Sequence, residues 1–221
     1  KCYQELAQRQ NAFDQMMIMK REVIADKGVW TAKKRYVLNV HNSEGVQYAQ
    51  PKMKIMGLEM IKSSTPLVVR DKLKEAMKLI IAGDQYALRK FVTDYQSEFC
   101  NLPVEDVAFP RGINSRLKDY RDTANIYRKS TPIHVRGALM FNHFIRENNL
   151  TNKYQEIKDG DRIKFVYLRE PNTIREDVIS FVNTLPKELG LHKYVDYEKQ
   201  FNKVFLDPLS AILESIGWTI E

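Results

Sequence analysis

The sequence predicts an α+β fold, in which a partial antiparallel sheet is followed by a mainly helical domain with a small β-hairpin or sheet. Residues 21–56 carry β-branched and aromatic runs around a Gly-containing turn, which is typical of antiparallel strands. Two later stretches repeat apolar residues at helical spacing, and a Val- and Phe-rich run over residues 162–168 has the character of a strand. We place the first domain at residues 1–56 and the second at residues 57–221.

The first domain is predicted to hold one helix and about three strands. In order, these are a helix over residues 1–13, a strand over 21–24, a turn at 26–28, a strand over 30–41, a hairpin turn at 42–45 and a returning strand over 46–56. So few strands make a partial sheet that needs neighbours. Because the chain begins at Lys1 and not at methionine, we expect a fragment of a longer polypeptide, with those neighbours before Lys1.

The second domain is predicted to begin with two helices. Thr65 as N-cap and Pro66 in the first helical position start a helix that runs to about Ala82, and Gly83 ends it. The remaining elements are a helix over 85–100, a short strand over 104–109 broken at 110–112, a helix over 134–147, strands over 162–168 and 178–182, and a closing helix over 197–216. Pro208 lies inside the closing helix and is expected to kink it.

Composition limits the classes of protein that this chain can represent. Its 221 residues are 43% apolar and carry a formal charge of +7, which supports packed cores and favours a polyanionic partner. No apolar run approaches the roughly 18 residues of a membrane span, and there is no secretory pattern at the start. Two distant cysteines make no disulfide framework, so we expect an intracellular protein. The four histidines lack the spacing of zinc ligands, and we predict no metal site.

The densest cationic segment is Lys33-Lys34-Arg35-Tyr36. If it lies in a strand, Lys34 and Tyr36 share one face about 7 Å apart, and Lys33 and Arg35 share the other. An ammonium and a phenol hydroxyl at that spacing suit two neighbouring acceptors on a nucleic acid. The alternative is a solvated strand end, which is the usual explanation of a single basic run.

Five segments together resemble the C-terminal part of the family B replicative DNA polymerases of large tailed phages. The segments are WTAKKRYVLNV, PKMKIMGLEMIKSSTP, PIHVRGAL, VYLREPN and YVDYEKQFNKVFLDPLSAILESIGW, in the family's order. The resemblance extends from about Met16 to Trp218. It implies that residues 1–56 are the C-terminal part of the palm domain and that residues 57–221 are the thumb domain, which grips the primer–template duplex.

The resemblance also implies what chemistry the chain lacks. Two Mg²⁺ ions, held by palm aspartates, are expected in the complete polymerase, but the family's aspartate motif is absent here. Glu22 matches a metal-proximal acid of the palm, although Lys20 stands where the family has an aspartate, and a salt-bridged Glu22 is the alternative. Asp159-Gly160-Asp161 is predicted to be a turn. We therefore expect no cofactor bound by this chain alone, and no polymerisation without the rest of the enzyme.

The resemblance assigns duplex contacts to several positions. The lysine matching Lys34 reaches the minor-groove edge of the terminal base pair, and the tyrosine matching Tyr36 reaches the primer phosphate. Lys33 and Arg35 serve the other face of the sheet or nearby phosphates. Further predicted DNA-binding residues are Ser63, Ser64 and Thr65 at a helix N-terminus, Lys129, Arg136 and Lys203. Asp177 and Asp207 stand where relatives carry lysines, so the track of phosphate contacts is expected to differ.

Two function classes follow. The first is the primer–template-binding portion of a DNA-directed DNA polymerase, which works only with the remaining palm, fingers and exonuclease. The second is a stand-alone, non-catalytic DNA-binding or processivity module, or one half of a split polymerase. The resemblance implies the cytoplasm of an infected bacterial host, and a sliding clamp as a further partner through a C-terminal peptide that this sequence does not contain. No basic amphipathic helix suggests a membrane-surface protein.

Overall fold

The computed structural model describes Glu5, residues 20–122 and residues 125–220. The helix predicted over residues 1–13 lies outside the described residues, apart from Glu5. In the described part the predicted α+β fold is confirmed, because two antiparallel sheets of three strands each are combined with helices.

The first sheet has the strand order β1-β2-β3, with β1 at Val23–Ala32, β2 at Arg35–Ser43 and β3 at Val46–Met56. The turn predicted at residues 26–28 is wrong, because β1 runs through it and Gly28 pairs with Leu38. The register shifts on either side of Ala25, so the extra residue is absorbed by a bulge rather than by a reversal.

The hairpin between β2 and β3 is the turn that the sequence predicts. Ser43 pairs with Val46, and the two loop residues Glu44 and Gly45 have φ angles of 51° and 89°. Two positive φ angles match the twist of a two-residue hairpin loop. The side chain of Asn42 also accepts a hydrogen bond from the Gly45 N–H at 3.2 Å.

Two helices follow, as predicted: α1 at Leu67–Ala82 and α2 at Gln85–Phe99. Gly83, at φ 86°, ends α1 in the left-handed conformation that glycine adopts easily. Asp84 then begins α2, because its carboxylate accepts from the Ala87 N–H at 2.8 Å.

The strand predicted over residues 104–109 is wrong. Residues Val104–Val107 form a short helix, α3, and the strand β4 follows at Phe109–Gly112, where the sequence predicts a break. Val104 and Val107 lie three residues apart and are both buried, which is a helical spacing. An alternating pattern and a single helical turn cannot be separated in so short a segment.

The second sheet has the order β4-β5-β6, with β5 at Arg162–Tyr167 and β6 at Val178–Phe181. The helix α4, at Ile133–Glu147, packs against β6. A Cβ added at Gly137 would lie 2.8 Å from the backbone nitrogen of Ser180, so only glycine allows this close approach. Both strands and α4 were predicted.

The closing helix is divided into three parts: α5 at Tyr197–Phe201, a π-helical segment at Asn202–Leu206, and α6 at Asp207–Glu214. Pro208 has no N–H to donate to the preceding turn. The π-helical segment ends directly before it, with the Asp207 N–H bonded to the Asn202 carbonyl. The predicted irregularity at Pro208 therefore takes the form of a widened turn. Short 3₁₀ helices lie at Glu59–Ile61, Leu117–Tyr120, Lys187–Leu189 and His192–Tyr194.

Two clusters of buried apolar side chains form the core. One combines the first sheet with α1, α2 and the closing helix, and the other combines α4 with the second sheet. Val37 of β2 and Leu73 of α1, both fully buried, belong to the same cluster. The domain boundary at residue 57 stays a prediction, and packing is continuous across it.

Candidate nucleic-acid interface

Lys33 and Lys34 form the tip of the hairpin between β1 and β2. Ala32 pairs with Arg35, so the two lysines are the whole loop, and Lys34 has a φ of 63°. The prediction that they lie in a strand is therefore wrong, because the chain reverses direction at this point. Both lysines are exposed, and neither has an ion-pair or hydrogen-bond partner among the described residues. The hairpin tip thus presents two uncompensated positive charges.

Tyr36 lies two residues after Lys34, inside β2. It is half-buried and pairs with Trp30 of β1 and Met56 of β3. Trp30 is 63% exposed and Met56 is 43% exposed, so the row across the three strands is accessible. Directly paired residues point to the same face of a sheet. Tyr36 therefore belongs to an open, partly aromatic face beside the charged tip.

Arg35 is directed away from that face, toward the segment that follows β3. Its Nη2 donates to both carboxylate oxygens of Glu59, at 3.0 and 3.1 Å. Lys62 donates to the same carboxylate at 2.8 Å. Burial would raise the pKa of Glu59, but the hydrogen bond from Lys62, its own backbone N–H and the charge of Arg35 outweigh burial and lower it. Arg35 thus has a protein partner that the hairpin tip lacks.

The segment with the three hydroxyls lies directly before α1. Ser63 is exposed, Ser64 is half-buried and Thr65 is 5% exposed. The N-cap position is occupied by Pro66 and no side chain caps the helix, so the predicted capping role of Thr65 is wrong. The Pro66 carbonyl accepts the first helical bond at 3.0 Å, which shifts the helix start by one residue.

Arg136 lies in the first turn of α4 and is surrounded by acidic and aromatic groups. Its Nη2 donates to Asp177, its Nε lies 3.9 Å from Glu176, and its guanidinium is 5.7 Å from the ring centre of Tyr127. The Tyr127 hydroxyl donates to Glu176 at 2.6 Å. Burial, with Glu176 next, raises the pKa of Tyr127 to about 12. Lys129 is exposed and lines a groove with Tyr127 and Glu176.

Lys203, in the π-helical segment, donates to Asp207 at 2.8 Å. One turn earlier, Lys199 lies 3.8 Å from Asp177 and 4.6 Å from the ring centre of Tyr167. Asp177 therefore joins Arg136 on α4 to Lys199 on α5. The two aspartates that depart from the resemblance are the groups that neutralise the cations of this surface.

Arg111 of β4 connects this surface to the hydroxyl segment. Its Nη1 donates to the Ser64 carbonyl at 3.1 Å, and its strand pairs with β5, the strand that ends at Tyr167. Arg111, Lys199, Tyr127 and Tyr167 were not singled out in the sequence. Arg111 stands between Pro110 and Gly112, which indicated only a break, and Tyr167 sat in a predicted strand with no sign of its neighbours.

Glu22 lies beside β1 and forms an ion pair with Lys54 of β3 at 2.6 Å, which lowers the pKa of the carboxyl group. In the part of the chain that the structure describes, no group of three or more His, Cys, Asp or Glu side chains could hold a metal ion. The turn predicted at Asp159-Gly160-Asp161 is confirmed, with Asp159 accepting from the Leu117 N–H. None of the described helices is long and apolar enough to cross a membrane.

Comparison with known proteins identifies relatives among phage enzymes. The chain is 31% identical over 232 aligned positions to the DNA-directed DNA polymerase of Enterobacteria phage T4, with 100% of the chain and 25% of the relative covered. It is 33% identical over 222 positions to that of Escherichia phage RB69, covering 95% of the chain and 24% of the relative. The matched region is a C-terminal part of these enzymes. No family model matches the chain.

Proposed function

We propose that this chain, which is homologous to a part of the phage DNA-directed DNA polymerases, binds the primer–template duplex and holds the primer terminus for nucleotidyl transfer by the complete enzyme. It spans about a quarter of the length of the relatives it matches. Its partners would be duplex DNA and the rest of the polymerase, comprising the remaining palm, the fingers and the exonuclease. We expect the chain to act in the cytoplasm of an infected bacterium, and contact with a sliding clamp stays a prediction.

The observation that carries the proposal is the hairpin tip. Lys33 and Lys34 are exposed and unpaired among the described residues, whereas Arg35, Arg136 and Lys203 each have a carboxylate partner. Phosphate contacts supply most of the affinity of sequence-independent binding. Cations without an ion-pair partner make these contacts most favourably, because no existing ion pair has to be broken. Tyr36 lies beside the tip, on an accessible face, with its hydroxyl suited to a phosphate oxygen.

A lysine near the last base pair suits a replicating enzyme. The minor groove presents purine N3 and pyrimidine O2 acceptors at almost the same positions in every correct pair. An ammonium donor there, which we assign to Lys34, senses pair geometry without reading sequence. A mismatched pair displaces the acceptor and removes a charge-assisted hydrogen bond.

The second cationic surface is formed by Arg136, Lys199 and Lys203, and it contributes differently. Its cations already form ion pairs with Asp177 and Asp207. A phosphate must compete with these carboxylates, so each of these cations adds less to duplex affinity than a lysine of the tip. Lys129 and Ser63 are exposed and available to extend the contact.

Catalysis requires residues from elsewhere in the polymerase. Nucleotidyl transfer uses two Mg²⁺ ions that stabilise the attacking and leaving oxygens. The described residues do not fit such a site, because Glu22 is paired with Lys54 and belongs to no group of three or more potential metal ligands among them. We therefore expect the chain to be inactive without the rest of the polymerase.

The test combines binding with reconstitution. The chain should bind a duplex without sequence preference, and mixing it with the polypeptide that holds the rest of the polymerase should restore primer extension. Lys34→Ala should slow extension of matched primer ends, and reduce the discrimination against mismatched ends, more than it weakens binding. Lys90→Ala is a matched control, since Lys90 is another exposed lysine without an ion-pair partner in the described part. Tight duplex binding with no effect on extension would instead favour a stand-alone module.

A further inference from the structure

The segment of residues 57–66, here called the connector, joins β3 to α1. It lies between the hairpin tip and the surface that carries Arg136, Lys199 and Lys203. It contains the 3₁₀ helix Glu59–Ile61 and the three hydroxyl residues. Contacts hold it at both ends. The hairpin tip and Arg35 contact its beginning, and Arg111 of the second sheet contacts its end.

Gly57 brings the beginning of the connector directly against the hairpin tip. Its φ is 67°, which glycine adopts without strain. A Cβ added there would overlap the Lys34 carbonyl oxygen, and would lie 3.3 Å from the Lys34 carbonyl carbon and 3.1 Å from Cγ of Arg35. The backbone of Gly57 therefore supports the peptide group of the lysine that we assign to the primer end.

The side chain of Arg35 makes a second contact between the hairpin and the connector. Its guanidinium reaches a carboxylate that is 23% exposed, 24 residues further along the chain. Arg35 itself is 40% exposed at the side chain, and its Nε is buried without a partner among the described residues. Glu59 and Arg35 thus tie the base of the hairpin tip to the connector.

Arg111 performs the equivalent function at the other end. Its side chain is half-buried, its guanidinium carbon lies 5.8 Å from the centre of the Phe109 ring, and its Nη1 donates to the carbonyls of Ser64 and Pro110. Burial lowers the pKa of this guanidinium. Both main-chain acceptors bond Nη1, so this nitrogen ties the side chain of Arg111 to the end of the connector.

We propose that Arg35 and Arg111 are positioning residues, which act on the connector rather than on DNA and fix the hairpin tip relative to the hydroxyl segment and the helical domain. The inference rests on the proposed function. It assigns Arg35 a different role from the phosphate contact predicted for it. Replacing either arginine should let the primer terminus move away from its position for nucleotide incorporation. The duplex should stay bound, because the cations that face phosphates are unchanged.

The salt dependence of duplex binding distinguishes the two roles. In the complete polymerase polypeptide that carries this chain, loss of one phosphate contact reduces the slope of log K against log salt by about 0.9. Arg35→Ala should leave the slope unchanged and lower the single-turnover incorporation rate about tenfold. Lys33→Ala, which removes the unpaired tip lysine that is not assigned to the base pair, should reduce the slope by about 0.9. The exchange Arg35→Glu with Glu59→Arg should restore most of the incorporation rate. A slope reduced by about 0.9 in Arg35→Ala, or no rescue by the exchange, would overturn the proposal for Arg35.

Two further variants test the connector directly. Gly57→Ala should reduce incorporation without changing the slope. Gly45→Ala is its matched control, because Gly45 also has a positive φ, at 89°, but no atom within 4 Å of an added Cβ. Equal incorporation rates in the two variants would contradict the supporting role of Gly57.

Arg111→Ala should behave as Arg35→Ala does, with Arg111→Lys retaining part of the rate. A reduced slope for Arg111→Ala, or an unchanged rate, would remove Arg111 from the proposal. Failure of the unsubstituted polymerase to bind any duplex would refute the proposed function itself, which is a separate outcome. If Gly57→Ala does not fold, the slopes and incorporation rates of the arginine variants still test the proposal.

Discussion

Neutralising Asp177 should strengthen duplex binding, although it removes contacts from the folded protein. Asp177 accepts from Arg136 and lies 3.8 Å from the ammonium of Lys199. Asp177→Asn keeps the shape of the side chain and removes its charge. Both cations then become available to phosphates, and a negative charge that faces the duplex is lost.

The expected magnitude follows from counterion release. Each added phosphate contact steepens the slope of log K against log salt by about 0.9, which is roughly a 3.5-fold change in affinity between 50 and 200 mM salt. Two freed cations give a slope change of up to about 1.8 and an affinity change of about 12-fold. Because Glu176 remains 3.9 Å from Arg136 and retains part of its charge, we expect a slope change between about 0.9 and 1.8.

Fluorescence anisotropy of a labelled 20-base-pair duplex, titrated at several salt concentrations, measures this slope. Asp207→Asn frees only Lys203, so its slope should change by no more than about 0.9. Asp119→Asn breaks a similar ion pair with Arg116, at 3.2 Å, on the 3₁₀ helix at 117–120, and should leave the slope unchanged. An unchanged slope in Asp177→Asn would mean that Arg136 and Lys199 do not lie along the DNA.

Two predictions concern stability. Phe201→Ala, in the aromatic cluster between α2 and the closing helix, should lower the free energy of unfolding, measured by urea denaturation, by about 3–5 kcal/mol. Tyr86→Ala, at an 83% exposed residue, is the control and should change it by less than about 0.5 kcal/mol. Similar losses in the two variants would show that the cluster is loosely packed. Hydrogen bonds from Lys153, its own backbone N–H and Tyr154 lower the pKa of Glu188 to about 2. Because this pKa is depressed, the stabilisation is present above about pH 4.5 and is lost as the pH falls toward 2. Thermal unfolding of Glu188→Gln should therefore differ from wild type at neutral pH and converge with it near pH 2, and a constant difference would contradict the assignment.

The helices α1, α2 and α4 and the second hairpin could be predicted because their signals are local. Val69, Leu73, Met77 and Ile80 repeat at helical spacing, and all four are buried on one face of α1. The hairpin at Glu44-Gly45 contains the glycine that a tight turn favours. The tip at Lys33-Lys34 had no such signal, because lysine has no preference for turns. Its position is determined by strand register and by the approach of Gly57, which comes from another part of the chain.

The cations of the candidate interface could be found in the sequence, but their electrostatic state could not. Arg35 pairs with a carboxylate 24 residues away, and Arg136 with one 41 residues away. Such pairs depend on the tertiary fold and leave no periodic trace. The sequence therefore identified positive charges and could not separate the free lysines of the tip from arginines with protein partners.

The left-handed backbone at Lys34 sets stability against function at a single residue. A side chain with a Cβ adopts this conformation at a cost of about 1 kcal/mol or more relative to glycine. A glycine at this position would relax the loop and remove the ammonium. Selecting heat-resistant variants of the folded chain would therefore be expected to enrich glycine there, and such variants would resist unfolding better while sensing the primer end less well.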